Sequence, residues 1–188
     1  RVEEVRLLGR HNVANILAAS LLARLMGASV EAIREVATSF KGVEHRLEFV
    51  REVRGVRYYN DSIATSPERV VAALNAFDDP IVLLAGGRDK HLPWEEMARL
   101  TVRKVRHLIL FGEAVPIIRR AVEKAKAESG SEGPIISICT TLEEAVSEAS
   151  RSARPGEVVL LSPGGTSFDA FRDYAHRGKR FKELVKQL

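Results

Sequence analysis

The sequence lacks several features on which other classes of protein depend. Cys139 is the single cysteine among 188 residues, so no disulfide can form within the chain and the disulfide-rich secreted class is excluded. No stretch approaches the ~20 consecutive apolar residues of a membrane-spanning helix. The first residues, Arg-Val-Glu-Glu-Val-Arg, do not resemble a signal peptide. Together these absences predict a cytoplasmic protein without a membrane span.

Motifs that bind nucleotide phosphates are missing as well. Neither Gly-x-x-x-x-Gly-Lys-Ser/Thr nor Gly-x-Gly-x-x-Gly occurs in the sequence, so the chain has no phosphate loop and no dinucleotide fingerprint. His45 is remote in sequence from other candidate metal ligands, and no pair of nucleophile and base is evident. We therefore expect no catalytic residue and no metal site in this chain, which instead binds and positions a ligand.

The composition is that of a globular protein, with 45% hydrophobic and 29% charged residues. A net charge of +4 fits an anionic ligand without requiring one. Basic residues cluster near the C-terminus, where acidic residues interleave with them and apolar residues recur at helical spacing. We interpret this segment as a solvated amphipathic helix and expect no nucleic-acid partner. The basic residues are Arg172, Arg177, Lys179, Arg180, Lys182 and Lys186, and the inward-facing set is Phe168, Phe171, Tyr174, Phe181, Leu184 and Val185.

Residues 1–41 contain two helical patterns, one beginning near Val13 and ending at Gly27, the other running from Val30 to Phe40. These helices have no sheet of their own to cover, so we interpret them as the end of a preceding domain. The chain also begins without Met and in the middle of a pattern, which predicts a piece of a longer protein. An apolar face of these helices should therefore be exposed where the missing partner would lie.

Residues 42–188 predict a second domain. Apolar residues from Leu47 to Val53 and from Val56 to Tyr59, separated by Arg54-Gly55, indicate a β-hairpin. Short buried strands then alternate with helical patterns as far as the C-terminus. This order predicts an α/β fold, with a Rossmann-like, mostly parallel sheet that begins with a hairpin and is flanked by helices.

Three strand ends are rich in hydroxyl groups, glycine and basic side chains, namely Asn60–Ser66, Gly86–His91 and Ser162–Asp169. Parallel strands place such loops on one edge of a sheet, next to helix N-termini that favour anions. Ser66 should cap the helix that begins at Pro67, and Thr166 or Ser167 should cap the last helix. The loops predict a site for a small anionic molecule, although Lys90 alone fits a solvated lysine about as well.

Five short motifs follow one another along the chain: His11-Asn12-x-x-Asn15, His45-Arg46, Asn60-Asp61-Ser62-x-Ala64-Thr65, Gly86-Gly87-x-x-Lys90 and Leu161-Ser162-Pro163-x-x-x-Ser167-x-Asp169-x-Phe171. Together they resemble the Mur ligases, and most closely those that add D-glutamate to UDP-N-acetylmuramoyl-L-alanine. The resemblance implies that residues 1–41 end the central ATPase domain and that residues 42–188 are the C-terminal domain. It further implies a reaction with ATP and Mg²⁺, in which a muramoyl acyl phosphate is attacked by the D-glutamate amine.

The resemblance also implies roles for individual residues. Those near the nucleotide would be Asn12 and Asn15 at the adenine, with Arg46 and Asp61, the latter on the ribose hydroxyls. From the residues alone, the two asparagines also fit a role in which they cap and hydrogen-bond the start of their own helix. Arg46 also fits a solvated charge in the linker. Residues that would hold D-glutamate are Thr65, Lys90, Ser167 and, through its backbone, Tyr174. Two carboxylates require a lysine, hydroxyl donors and helix N-termini, which these loops offer.

Two departures from the family pattern limit these expectations. Ile63 stands where the family commonly has a lysine, so one cation is missing or supplied by another residue. The phosphate loop, the metal ligands and the nucleotide-sugar domain are also absent from this sequence, so we expect the chain alone to turn over no ATP. The alternatives are the C-terminal domain of another Mur ligase or of a folylpolyglutamate-type ligase, and a non-catalytic Rossmann-like binding module. The string Asp-Tyr-Ala-His at 173–176, a motif of sibling ligases, falls in the last helix and is interpreted as coincidence.

Overall fold

The computed structural model describes residues 4–5 and 7–188, with residues 10 and 11 described by their backbone alone. The chain divides into two compact units, the first ending at Val43 and the second comprising Glu44–Leu188. Helices α1, Arg10–Leu25, and α2, Val30–Ser39, belong to the first unit. The Ser29 hydroxyl caps α2 by accepting a hydrogen bond from the Ala32 N–H.

The predicted exposed apolar face of the first unit is confirmed. Helix α2 has no buried residue, and large apolar side chains of both helices and their flanks remain in solvent. These side chains are Leu17, Leu21, Leu22, Leu25, Met26, Val30, Val36 and Phe40. Their number exceeds the scattered apolar residues of an ordinary surface, so this face has the character of an interface.

A single six-stranded sheet organises the second unit, and its order is β1-β2-β6-β3-β4-β5. Strands β1 and β2 are antiparallel, whereas each of the other neighbouring pairs is parallel. The strands are β1 Glu48–Val53, β2 Val56–Asn60, β3 Ile81–Gly86, β4 Val105–Phe111, β5 Ile135–Ile138 and β6 Val158–Gly164. The mostly parallel sheet with an N-terminal hairpin is therefore confirmed.

The hairpin turn follows from its two central residues. Arg54 and Gly55 both have positive φ, 53° and 77°, as a two-residue type I′ turn requires. Five further helices flank the sheet: α3 Pro67–Leu74, α4 Glu95–Lys104, α5 Val115–Ser129, α6 Leu142–Ser152 and α7 Tyr174–Lys186. Thr141 caps α6, since its Oγ1 accepts from the Glu144 N–H.

The core lies on both faces of the central strands. Every residue of β3 is buried, as the continuous apolar run predicted. On one face Leu84 and Ile109 pack with α6 and with Phe181 of α7. Leu83, Leu108 and Leu160 are also fully buried. No helix within the described residues is long and apolar enough to cross a membrane.

Expectations for the last helix were partly wrong. Asp173, rather than Thr166 or Ser167, caps α7, because the chain first makes a turn in which the Ser167 carbonyl accepts from the Phe171 N–H at 2.7 Å. That turn keeps the preceding residues out of the helix. Phe168 and Tyr174 consequently lie outside the buried face, with 62% and 40% of their surfaces exposed.

Ser66 has the predicted position before α3 but not the predicted interaction. Its side chain makes no capping hydrogen bond, and its hydroxyl is buried without a partner among the described residues. Pro67 at the first helical position has no N–H to offer, and Ser66 itself is extended, with φ −149° and ψ 151°. The start of α3 therefore rests on Pro67 and on tertiary packing rather than on a side-chain cap.

Candidate functional site

The three loops identified in the sequence meet at one edge of the sheet, as predicted. They follow β2, β6 and β3, which are neighbours in the sheet. Backbone hydrogen bonds join them: Gly164 N–H donates to the Ala64 carbonyl at 2.8 Å, and Gly165 N–H donates to the Gly86 carbonyl at 3.1 Å. Residues Asn60–Ser66, Gly86–His91 and Ser162–Asp169 are called the strand-end rim below.

Two of these loops also form a small β-bridge. The Arg88 N–H donates to the Thr166 carbonyl at 2.9 Å, and the Thr166 N–H donates back to the Arg88 carbonyl at 2.8 Å. Close approach depends on glycine here, because a Cβ on Gly86 would collide with the Phe111 carbonyl and one on Gly165 would lie 2.5 Å from the Gly86 carbonyl. The rim is thus a fixed scaffold rather than three independent loops.

Lys90 and Thr65 lie next to each other on the rim. The Lys90 ammonium donates to the Thr65 hydroxyl at 3.3 Å. Lys90 is exposed and Thr65 is half-buried just before α3, so the ammonium keeps donors free for an anion. A cation, a hydroxyl and a helix N-terminus are together suited to a carboxylate.

Ser167 lies in the third loop of the rim and is 2% exposed. Its carbonyl is used internally by the turn at Ala170 and Phe171. Within the described part of the chain, neither its N–H nor its hydroxyl has a protein hydrogen-bond partner. Ser167 therefore offers a hydroxyl and an N–H to a ligand acceptor.

Tyr174 begins α7 beside the rim. Its carbonyl accepts from the Ser62 hydroxyl at 2.7 Å, and its ring contacts His45 edge-on with centroids 6.2 Å apart. The Tyr174 backbone is therefore held against the first loop of the rim. Its side chain remains 40% exposed.

Asp61 is buried beneath the rim. Its carboxylate accepts from the Leu47 N–H at 3.1 Å and from the Ser162 hydroxyl at 2.9 Å. Burial raises the pKa of Asp61 to about 7, because loss of hydration outweighs both hydrogen bonds and the charges of Arg46 and Arg69. Asp61 therefore titrates near neutral pH, and Arg46 nearby is exposed.

Asn12 and Asn15 belong to the first unit. The Asn12 amide donates to the Leu8 carbonyl at 2.7 Å, and the Asn15 amide lies 3.5 Å from the Asn12 side-chain oxygen. They share one helix face, as their spacing predicted. Asn12 is buried and already partnered at the helix start, whereas Asn15 is exposed.

Arg177 is a site residue that the sequence analysis misinterpreted. It was expected on a solvated helix face, yet it is completely buried. Its guanidinium hydrogen-bonds to Ser62, Gly165 and Thr166, which belong to two loops of the rim. The signal that would have revealed it is spacing, because Arg177 lies one turn before Phe181 and two turns before Val185, both fully buried.

Another cation lies where the family lysine is absent. The Arg69 guanidinium donates to the Ile63 carbonyl at 3.0 Å, and the Thr65 N–H donates to the same carbonyl at 2.8 Å. Arg69 therefore brings a positive charge to the backbone of the first rim loop. Sequence analysis had left this charge unassigned.

His45 was expected to be remote from other candidate metal ligands, and this was wrong: Glu44, His45 and Glu48 form a cluster whose ligand atoms all lie within 4.8 Å of one another. Lys182 offsets one of the two carboxylate charges, because its ammonium hydrogen-bonds to the Glu48 carboxylate at 2.9 Å and also to Glu44. The His45 ring nitrogen Nδ1 pairs with the Asn60 amide at 2.9 Å. These partners make the cluster an internal ion network.

Comparison with known proteins identifies the family. Residues 45–165 match the model of the Mur ligase, glutamate ligase domain. The chain is 46% identical over 188 residues to the UDP-N-acetylmuramoylalanine–D-glutamate ligase of Clostridium tetani, and 49% identical over 187 residues to that of Symbiobacterium thermophilum. In each case all of this chain is covered and 40% of the relative.

Solved structures share the fold at low sequence identity. The UDP-N-acetylmuramate-alanine ligase of Thermotoga maritima aligns with a TM-score of 0.70 at 18% identity, covering 97% of this chain and 39% of that one. The folylpolyglutamate synthase of the same organism gives 0.60 at 18% identity, covering 98% and 41%. Because the match to the family model, residues 45–165, covers more than half of the chain, the chain belongs to the Mur ligase family.

Proposed function

We propose that this chain is the D-glutamate-positioning part of an ATP-dependent ligase. The full protein would join D-glutamate to UDP-N-acetylmuramoyl-L-alanine during synthesis of peptidoglycan precursors. The chain spans 40% of the length of the curated relatives it matches, so the activity belongs to a longer protein. The main structural support is the rim itself, where the Lys90 ammonium, the Thr65 hydroxyl and the unpartnered donors of Ser167 are held on three hydrogen-bonded loops.

In this proposal the rim binds the two carboxylates of D-glutamate. Lys90 and Thr65 receive one carboxylate, because an ammonium and a hydroxyl both donate to it beside the start of α3. Ser167 receives the other through its hydroxyl and its N–H. The Tyr174 backbone closes the site, since its carbonyl is fixed by Ser62. No side chain of the rim needs to exchange a proton with the substrate.

Nucleotide contacts are proposed for each unit by itself. Asn12 and Asn15 are proposed to contact the adenine, and Arg46 and Asp61 the remainder of the nucleoside. ATP, with Mg²⁺ held mainly by the upstream domains, supplies the phosphoryl group that activates the muramoyl carboxyl. This chain holds the D-glutamate amine next to that carboxyl. Its contribution to catalysis is therefore orientation of the reactants, which domain closure completes.

The domain assignment belongs to the same proposal. Residues 1–41 would be the last helices of the central ATPase domain, and residues 42–188 the C-terminal domain. The exposed apolar face of α1 and α2 supports a partner domain in the same protein. Use of ATP and a nucleotide-sugar substrate is consistent with a reaction in the cytoplasm. The proposed reaction does not involve nucleic acid.

The test uses the full-length protein. Calorimetry with ATP analogue and UDP-N-acetylmuramoyl-L-alanine present should show binding of D-glutamate and none of L-glutamate at the same concentration. Equal binding of the two enantiomers would contradict the proposal, and turnover with L-glutamate on a folate would favour the folylpolyglutamate alternative. A non-catalytic module would show no turnover with either substrate.

Two further observations discriminate the same hypotheses. The upstream sequence should contain Gly-x-x-Gly-Lys-Ser/Thr, which supplies the phosphate loop that this chain lacks. The purified 188-residue chain should hydrolyse no ATP. Measurable ligase or ATPase activity in that chain would contradict the proposal that ATP and Mg²⁺ are bound mainly by the upstream domains.

A further inference from the structure

Arg177 is buried, and among the residues that the structure describes no carboxylate hydrogen-bonds to its guanidinium. Its Nε donates to the Ser62 hydroxyl at 3.0 Å and its Nη2 to the Ser62 carbonyl at 2.9 Å. Its Nη1 donates to the Thr166 carbonyl at 3.2 Å, and both terminal nitrogens lie 3.3 Å from the Gly165 carbonyl. The guanidinium therefore joins the first and third loops of the strand-end rim through neutral acceptors.

The positive charge of Arg177 persists in this environment. Burial lowers the pKa of Arg177 to about 10, with Asp169 opposing the shift from outside hydrogen-bond contact. The side chain therefore remains protonated at neutral pH. Neutral acceptors satisfy its N–H groups but leave a net positive charge beneath the rim, where the low dielectric screens it weakly. Such a charge attracts an anion bound on the opposite side of the loop.

The peptide between Thr166 and Ser167 connects this charge to the proposed substrate site. A trans peptide is planar, with its C=O and N–H pointing in opposite directions. The Thr166 carbonyl points at Arg177 and Arg88, so the Ser167 N–H points away from them. Hydrogen bonds in a chain polarise one another, and the guanidinium consequently strengthens the Ser167 N–H as a donor. That N–H has no protein acceptor among the described residues.

We propose that Arg177 is a positioning residue for the anionic substrate. It holds the Ser62 and Gly165–Ser167 segments in register, and its charge strengthens the donor that Ser167 offers to a substrate carboxylate. This inference rests on the proposed function, because it assigns the D-glutamate carboxylate as the anion. Ser167 touches the substrate, whereas Arg177 acts through the intervening peptide.

The test compares variants of the full-length protein in steady-state kinetics. Arg177→Lys keeps the charge but cannot reach all four acceptor atoms on Ser62, Gly165 and Thr166, since an ammonium lacks the planar fork. Loss of one or two charge-assisted hydrogen bonds should raise the KM for D-glutamate about tenfold, with the KM values for ATP and the muramoyl substrate unchanged. Arg180→Ala is the matched control, because Arg180 lies on the same helix but pairs with Glu143 near the surface.

Ser62→Ala and Arg177→Ala complete the series. Ser62→Ala removes the Nε acceptor, and with it the donor to the Tyr174 carbonyl, without a large change in volume. It should raise the KM for D-glutamate by a smaller factor than Arg177→Lys. In Arg177→Ala, added methylguanidinium should restore part of the D-glutamate affinity, which a purely structural role would not predict. Equal rises in all three KM values, or a wild-type KM for D-glutamate in Arg177→Lys and Ser62→Ala, would overturn the inference.

Failure of the inference is distinguishable from failure of the proposed function. If the wild-type protein shows D-glutamate-dependent turnover but the Arg177 and Ser62 variants keep its KM, only the role of Arg177 is wrong. If the wild-type protein itself shows no D-glutamate-dependent turnover, the proposed function is wrong and the role of Arg177 falls with it.

Discussion

The Lys90 ammonium donates a hydrogen bond of 3.3 Å to the Thr65 hydroxyl, although the two residues lie 25 positions apart in sequence. If this pair receives a carboxylate of D-glutamate, Lys90→Met should raise the KM for D-glutamate in the full-length protein by about 10- to 100-fold, the effect of one charge-assisted hydrogen bond. Thr65→Val, which removes a neutral donor, should raise it about tenfold or less. Steady-state kinetics at saturating ATP measures both changes.

The pair also permits a double-mutant cycle. Because Lys90 and Thr65 are in contact, the effects of the two substitutions should not add. Lys124→Met is the control for loss of a lysine, since Lys124 is exposed on α5 and its salt bridge is to Glu128 in the same helix. Additive effects, or an equal loss in the control, would argue against a shared carboxylate site.

The order of elements was predictable because hydrophobic pattern and turn chemistry agree along the second unit. Continuous apolar runs indicated β3 and β4, whose bounds Ile81–Gly86 and Val105–Phe111 lie close to those expected. The turn at Arg54-Gly55 indicated the hairpin. Because parallel strands end on the same edge of a sheet, the three loops then had to meet on one edge.

The contacts within that edge were not predictable from local sequence. Arg177 was assigned to solvent because its charge was given more weight than its spacing from Phe181, and its acceptors are backbone carbonyls that no motif reveals. Ser66 was expected to cap α3, but whether a hydroxyl reaches an N–H depends on tertiary packing. The proton affinity of Asp61 likewise depends on burial, which only the fold determines.

Asp61 should make stability depend on pH. Its folded pKa of about 7 exceeds the ordinary value of 3.8 for an aspartate, so between these values the folded state binds more protons than the unfolded state. The free energy of unfolding should therefore fall as pH rises from about 4 to about 7, by up to ~4 kcal/mol from this residue. Asp61→Asn, which keeps an acceptor oxygen but does not titrate, should remove that decline.

Chemical denaturation of the wild-type and Asp61→Asn chains at several pH values measures the effect. The comparison is needed because burial lowers the pKa of His45 and of His107, and those residues make the protein less stable as pH falls below their unfolded pKa. The difference between the two chains cancels the histidines. If the difference in unfolding free energy between the two chains does not change with pH, Asp61 does not titrate near neutral pH in the folded state.

The exposed apolar face of the first unit should make the isolated chain associate. Leu21 and Leu25 are 62% and 75% exposed on α1, and burial of a leucine side chain is worth about 1.5–3 kcal/mol. We expect concentration-dependent association of the 188-residue chain in sedimentation, reduced by Leu21→Gln with Leu25→Gln. Ile135→Gln, which changes an exposed residue of β5, should leave association unchanged if the face on α1 is responsible.

Gly164 should be required at the end of β6 for two reasons: its backbone is left-handed, and a side chain there would collide with neighbouring residues. Its φ is +75°, and a Cβ there would lie 2.8 Å from the Trp94 ring and 3.1 Å from Val70. Gly156 is the matched control, because its φ is +90° but nothing lies within 4 Å of the added Cβ. Gly156→Ala should cost about 1–2 kcal/mol from the left-handed conformation, whereas Gly164→Ala adds an overpacking cost of about 1–3 kcal/mol. Thermal or urea unfolding of the two variants measures the difference.

Because the Gly164 N–H also holds the Ala64 carbonyl of the first rim loop, Gly164→Ala in the full-length protein should lower D-glutamate turnover. Equal destabilisation by the two substitutions would show that Trp94 yields to the methyl group and does not fix the rim.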